Sequence, residues 1–494
     1  MSDDRPSERK VTFGEVFAIG EYRALFASTQ LAWLGEYMAK AAVMALVFAQ
    51  TGSVAMSAAA FAISFAPWLL GGPFLATLAE RYRYRSVMVV CDVIRAGLIA
   101  LVALPGMPLP AMLLLVFLVA LAAPPGQAAR SATLPLVLTG ERVVLGLAIN
   151  QSSGQATQVL GYFAGAVIAI IDPRGALLIN AAAFILSAII LRFGVKDRPP
   201  QMRAEHRSHL LRETGEGFKL VFGTPALRVI ALLVFTAMLF SMIPEGLAIG
   251  WASELAEGEE TRQGFYQGLI MVANPIGFAL GVLLVARLLL PTTRRRLVPL
   301  LAVLGPLALV PALFNPQIAV VLLMAMVSGL AMAGMLPTLN GMFVQALPNG
   351  FRARAFGVMN SGMQAIQGFS VLAAGALVGV FGNQRLPMVV GFWCLVGVLI
   401  MVFFAARWPK PAFFEAAIAR TEAINQAAAA EQAATADQAT AAEPRPAADH
   451  AAEPPADGAT ADPEPASPAA GVPRQPAGPE QVGPSANEAG TMER

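Results

Sequence analysis

Three carboxyl groups stand inside apolar runs of this chain: Glu36 in WLGEYMAKAAVMALVFAQ, Asp92 in VMVVCDVIRAGLIALV and Glu245 in LVFTAMLFSMIPEGLAIG. Two have a cation close in sequence, Lys40 four residues after Glu36 and Arg95 three after Asp92, while Glu245 follows Pro244. A carboxyl group among apolar side chains and near a cation can be set to exchange a proton near neutral pH. Glutamate N-terminal to lysine at i,i+4 is also the favourable order for a pair along one helix, so Glu36–Lys40 reads equally as a self-neutralising structural pair. Ionisable groups in such runs are costly and normally face a cavity or a partner, which makes all of them functional candidates.

Other chemistries find no residues to carry them. The three histidines, His206, His209 and His450, lie in polar segments, so no Ser/His/Asp set forms among the apolar runs. None of the five lysines follows a glycine, and without a GxxxxGK[ST] loop coupling to ATP is not expected. Cys91 and Cys394 offer neither metal-ligand spacing nor a disulfide framework. The basic residues are spread over many short loops, which argues against nucleic-acid binding. The chain is therefore expected to be no enzyme and to need no cofactor or metal.

The elements that position the carboxyl groups are membrane helices. Of 494 residues 56% are hydrophobic and only 13% charged, against about 25% charged in soluble domains. A spanning helix needs roughly 20 apolar residues. Twelve segments qualify: 24–50, 54–79, 86–104, 110–138, 144–170, 175–193, 226–252, 265–289, 297–314, 317–346, 355–381 and 386–407. The first twenty residues are too charged for a signal-peptide core, so the first span is expected to stay as an anchor. With the N-terminus placed in the cytoplasm, alternate loops collect Arg81, Arg83, Arg85, Arg142, Arg294, Arg295, Arg296, Arg352 and Arg354, whereas the opposite loops hold Arg174, Arg262 and Arg385. The positive-inside rule is then met throughout, with both termini cytoplasmic.

The domain reading follows. Residues 1–21 form a cytoplasmic leader, 22–193 a first six-helix half, 194–225 a cytoplasmic central loop with an amphipathic helix, and 226–410 a second half. Residues 411–494 are an Ala/Pro/Glu-rich tail, able to continue as helix to about 440 and disordered beyond. At an offset of 210 residues TGERVVLGLAIN, ending at Asn150, overlies NGFRARAFGVMN, ending at Asn360, and Gly165 overlies Gly375. Parallel six-helix repeats are the layout of transporters that alternate two halves around a midplane site. Gly161–Gly165 and Gly375–Gly379 are GxxxG pairs that let helices approach closely. The offset also puts Glu36 over Gly246, beside Glu245, so spans 1 and 7 would present carboxyl groups at nearly equal depth.

Together these features resemble the major facilitator superfamily over roughly residues 12–410, closest to the branch of macrolide-efflux and enterobactin-exporter proteins. The likeness is carried by GPFLATLAERYRYRSVMVVCDVIRA, with Glu80-Arg81 for an Asp-Arg pair and Asp92 and Arg95 for the D-x-x-R of span 3, and by PPGQAARSATLPLVL, NQSSGQATQVLG and EGFKLVFGTPALR. It implies an all-α fold of twelve transmembrane helices in two halves, with spans 1, 4, 7 and 10 lining a central cavity. The charges Glu80, Arg81, Arg85, Asp92, Arg95 and Arg130 would form a gate network at the cytoplasmic mouth. Glu36, Lys40 and Glu245 would serve proton coupling, and Trp33, Tyr37, Asn274 and Asn340 would line the substrate cavity. Most remaining polar residues in the spans, Asn180 among them, are expected to make hydrogen bonds between helices. The expected function is alternating-access export of an amphipathic small molecule against protons, by a monomer in the bacterial inner membrane. Uptake or flipping of a lipid-like metabolite, and a non-transporting receptor or scaffold, are the alternatives.

Overall fold

A computed structural model describes residues 12–68, 82–198, 210–348 and 352–442. Helices make up the whole framework, with no strand among the described residues. Among the described residues ten helices are long and apolar enough to cross a membrane. The other two expected spans are the helix Val54–Trp68, which runs to the edge of the described residues, and Tyr84–Val102, apolar apart from Arg85, Asp92 and Arg95.

The spans follow one another as expected. Span 1 is Gly20–Thr51, spans 2 and 3 are the two helices just named, and span 4 is Leu109–Leu121 continued by Ala123–Val137. Span 5 is Glu141–Ile171 and span 6 Pro173–Gly194. Span 7 comprises Pro225–Ser241, Ile243–Gly246 and Ala248–Leu255, and span 8 is Glu260–Leu288. Span 9 is Pro291–Leu307 with a 3-10 turn Val310–Phe314, and spans 10 to 12 are Ile318–Gln345, Arg352–Phe381 and Leu386–Ala406. Span 11 ends 210 residues after span 5, and its described part starts at Arg352, next to residues outside the described ones.

Helix starts and stops have local causes. Ser53 caps span 2 by accepting from the Met56 amide, Asp172 caps span 6 at the Arg174 amide, and Gly52 closes span 1 in the left-handed region with φ 61. Proline opens spans 6 and 9, where its missing N–H costs nothing. In span 7 Pro244 lies in the short middle piece, whose flanking residues Met242 (ψ 1) and Leu247 (ψ 10) leave helical geometry. In the central loop Leu210–Gly223 is a helix with one apolar face, and its Glu216 pairs with Arg354 of span 11 at 2.8 Å. The tail continues as helix over Pro411–Ala442; Phe414 is buried, and the Thr421 hydroxyl donates to Ala346 O at the end of span 10. The part of the tail expected to be disordered lies outside the described residues.

The core is divided along the bundle axis. At the end where span 1 begins, each half has its own cluster: Tyr22, Leu25, Met88, Leu138 and Leu191 in the first, Leu227, Val234, Phe343, Val358 and Met401 in the second. At the opposite, far end one cluster takes residues from both, including Ala58, Phe61, Tyr162 and Ala166 with Leu247, Trp251, Ile270 and Val378. Small residues make that junction possible. A Cβ on Gly375 would lie 2.5 Å from Ala58 and one on Gly264 2.1 Å from Ile170. Spans 2 and 11, and spans 5 and 8, therefore meet closely across the halves at this end.

Candidate functional site

Span 1 turns Glu36, Tyr37 and Lys40 into the middle of the bundle. Lys40 Nζ lies 3.3 Å from the Glu36 carboxylate, the i,i+4 pair expected from the spacing. A second cation joins it: Arg95 of span 3 donates to Glu36 Oε2 at 2.7 Å and stacks over the Phe184 ring at 4.2 Å. Glu36 is thus shared by two cations from two helices. Lys40 also sits over the rings of Tyr37 and Phe65, at 5.4 and 5.1 Å, where the ring faces favour a cation.

Asp92 takes a different partner. Arg130 of span 4 donates to its carboxylate at 2.6 Å, and the Ser187 hydroxyl of span 6 donates to the same oxygen at 2.6 Å. All three side chains are buried. Removing one member of such a pair leaves an uncompensated charge and costs about 3–5 kcal/mol. The charges expected as one gate network fall into two groups. Asp92, Arg95 and Arg130 are interior struts of the first half, whereas Arg85 pairs at 3.3 Å with Asp197, just after span 6, which also holds Arg83 at 2.5 Å. Glu80 and Arg81 lie outside the described residues. Asp197 and Ser187 are absent from the sequence reading, because neither belongs to a motif and both are found only through the packing of span 6.

Glu245 lies in the short middle piece of span 7 and is wholly buried. Neither carboxylate oxygen has a hydrogen-bond partner; the Tyr162 hydroxyl of span 5 is close, outside bonding geometry. Tyr37 and Lys40 of span 1 are within electrostatic reach of it, so spans 1 and 7 do bring their ionisable groups toward each other. Tyr37 and Tyr162 pack edge to face with centroids 5.0 Å apart. Burying an ionised carboxyl without a partner is expensive, so Glu245 is much less compensated than Glu36, which two cations share.

Other named residues fall as follows. A Cβ on Gly161 would lie 2.6 Å from Tyr37 and one on Gly165 2.5 Å from Met38 O, which seats span 5 on span 1. Gly375 and Gly379 seat span 11 on Ala58 and Ala55 of span 2. Trp33 is half-buried, its ring filling the space beside Gly154. Asn274 is buried with its amide nitrogen unpartnered, on the face of span 8 that meets Gly329 of span 10; Asn340 is half-buried on span 10.

Comparison with known proteins gives the fold a context. The family model described as Major Facilitator Superfamily matches residues 25–259 and 260–436. No curated protein matches the chain by sequence. Among solved structures, a point mutant of the nucleoside transporter NupG is similar at 14% identity and a TM-score of 0.65, over 78% of this chain and 99% of that one. A POT family transporter in complex with 5-aminolevulinic acid is similar at 15% identity and 0.63, over 81% and 98%. A D-xylose-proton symporter is similar at 14% identity and 0.59, over 78% and 96%. At these identities the likeness is one of fold.

Proposed function

Because this chain belongs to the major facilitator superfamily of multi-pass membrane transporters, we propose that it works by alternating access as a proton-coupled exporter of an amphipathic small molecule, such as a drug, antibiotic or siderophore. The observation that carries this reading is Glu245. It is a wholly buried carboxyl with the Tyr162 hydroxyl beside it but no hydrogen bond, set in a broken stretch of span 7 and within electrostatic reach of Lys40 of span 1. A carboxyl in that position responds to any movement that brings a cation or water to it, which is what a proton carrier needs. Glu36 and Lys40 serve as its electrostatic counterpart, with Trp33, Tyr37, Asn274 and Asn340 around the path of the substrate.

Outward transport is supported by the likeness of the span 2–3 region to exporters. The similar solved structures include a D-xylose-proton symporter, so inward transport by the same fold is the alternative. The arginine-rich loops at the end where span 1 begins support a cytoplasmic position for both termini, in a bacterial inner membrane and as a monomer. The test is substrate-driven proton movement in everted vesicles carrying the full chain, repeated with Glu245→Gln and Glu36→Gln. Glu245→Gln is expected to abolish substrate-driven proton release while substrate exchange without a gradient persists. Unchanged transport and unchanged pH dependence in both variants overturns the coupling reading. The sign of the pH change decides between export and uptake.

A further inference from the structure

Inside the first half, between spans 1, 2, 3, 4 and 6, lies a cavity of about 50 Å³, lined on its polar side by Glu36, Lys40, Ser64, Arg95 and Asn180, with Trp68 beside them. It belongs to one half and is separate from the junction between the two. Two independent features mark it as a built site. The first is charge. Among the described residues, three interior cations of this half (Lys40, Arg95 and Arg130) share two carboxylates, Glu36 and Asp92. Arg130 and Asp92 are paired at 2.6 Å, so the surplus positive charge falls on the Lys40–Glu36–Arg95 group that faces the cavity. The second is Asn180. It is wholly buried, and both its amide oxygen and amide nitrogen lack a partner. Arg95 Nε is also unpartnered. Unused donors and a surplus cation meet in one largely buried space, where a lone charge is costly and a counter-ion correspondingly favoured.

We propose that this cavity binds a small monovalent anion, a halide ion or the carboxylate group of a transported molecule, held by Lys40 Nζ, the Arg95 guanidinium and the Asn180 amide. The size agrees: by the same measure one water needs roughly 10–15 Å³, so there is room for a monatomic ion or a single carboxylate group and none for a whole amphipathic molecule. Glu245, across from Lys40, is a further group that can offset the surplus when ionised. The anion site does not depend on proton coupling.

The test uses the full chain in detergent at constant ionic strength, with isethionate, too large for the cavity, as background. Bromide is titrated while tryptophan fluorescence and Tm are followed, and acetate is titrated with Tm alone. Bromide is expected to quench saturably, with the saturable part lost in Trp68→Phe, and to raise Tm. Lys40→Met and Asn180→Leu are each expected to weaken the apparent affinity roughly tenfold or more. Asn180→Leu replaces an unsatisfied amide by an apolar side chain and keeps its fold, which a Tm in isethionate verifies. Glu245→Gln is expected to bind at least as tightly as the natural chain. A response to acetate but not to bromide assigns the site to a carboxylate group; a response to bromide alone assigns it to an inorganic ion. No saturable response to either, or one that survives both Lys40→Met and Asn180→Leu, overturns the proposal. Binding is read without a gradient, so its failure leaves the coupling role of Glu245 standing, and failure of that role leaves the anion site standing.

Discussion

A Cβ added to Gly375 or Gly268, at the far end of the bundle, would press within 2.5 or 3.2 Å of a side chain in the other half, whereas one added to Gly357 or Gly341, near the end where the chain enters, would meet nothing within 4 Å. The polar contacts between helices show a related contrast. At the far end Gln267 of span 8 donates to Ala41 O of span 1 at 3.0 Å, and Asn383 donates to Gly52 O at 2.8 Å. At the near end Arg85 pairs with Asp197 inside the first half, and Arg354 of span 11 pairs with Glu216 of the central-loop helix. The two halves are joined at one end and individually braced at the other. Close helix contact in a bilayer comes from small residues rather than from apolar burial alone, so alanine and glycine write the joined end, while charge pairs brace the separate ends.

This contrast can be broken most forcefully at Gly375. Gly375→Leu drives a branched side chain into Ala58 and is expected to cost the far-end junction about 1–3 kcal/mol. A cysteine at Ala55 should then react severalfold faster with a membrane-impermeant maleimide; unchanged labelling would show that the junction does not hold this end. Gln267→Leu removes one hydrogen bond between spans 8 and 1, worth about 0.6–2 kcal/mol in a membrane, and should raise the same labelling more modestly.

Glu254, in the last turn of Ala248–Leu255 and past the apolar run 226–252 that crosses the membrane, sharpens the comparison through pH. Burial pushes its carboxyl up to about 7, and one of its oxygens has no partner. Its folded value lies above the ordinary carboxylate range, so its contribution is complete below about pH 4.5 and is lost as pH rises through about 7. The side chain is partly open to solvent, which limits the effect to about 1 kcal/mol. Tm should therefore decline slightly between pH 5 and pH 8, and Glu254→Gln should flatten that decline. The smallest effect belongs to the near end: Gly357→Ala meets open space within a helix and should leave labelling unchanged and stability equal or higher by about 0.4–1 kcal/mol at most, read as an equal or slightly raised Tm. A large loss of Tm would mean that this end is packed after all.

Much of the frame was legible because it is written in local patterns. Apolar run length set the spans, the 210-residue offset found the matching helices 5 and 11, Pro244 marked the break in span 7, and the four-residue spacing found Glu36–Lys40. The site was legible only in part. Arg95 reaching Glu36, Arg130 reaching Asp92 and Asp197 reaching Arg85 all depend on how far each helix is turned and raised against its neighbour. That setting is made where Gly161 and Gly165 admit span 1 and where Gly35 admits Asn180 at 2.3 Å from an added Cβ. Such approaches join residues more than a hundred positions apart, and a single sequence carries no periodic trace of them. Asn180 illustrates the gap: one more polar residue assigned to bonding between helices, it is buried with both amide atoms unpartnered.

The division of span 7 into three pieces has a mechanical meaning. A continuous helix would pass any tilt along its whole length. With non-helical joints at Met242 and Leu247, the outer piece can stay wedged against Val54 and Leu386, where a Cβ on Gly250 has no room, while the inner piece swings. The piece between the joints is only four residues long and carries Glu245. Swinging the inner arm of this elbow would change what surrounds the carboxyl, because the carboxyl is carried on the pivot itself.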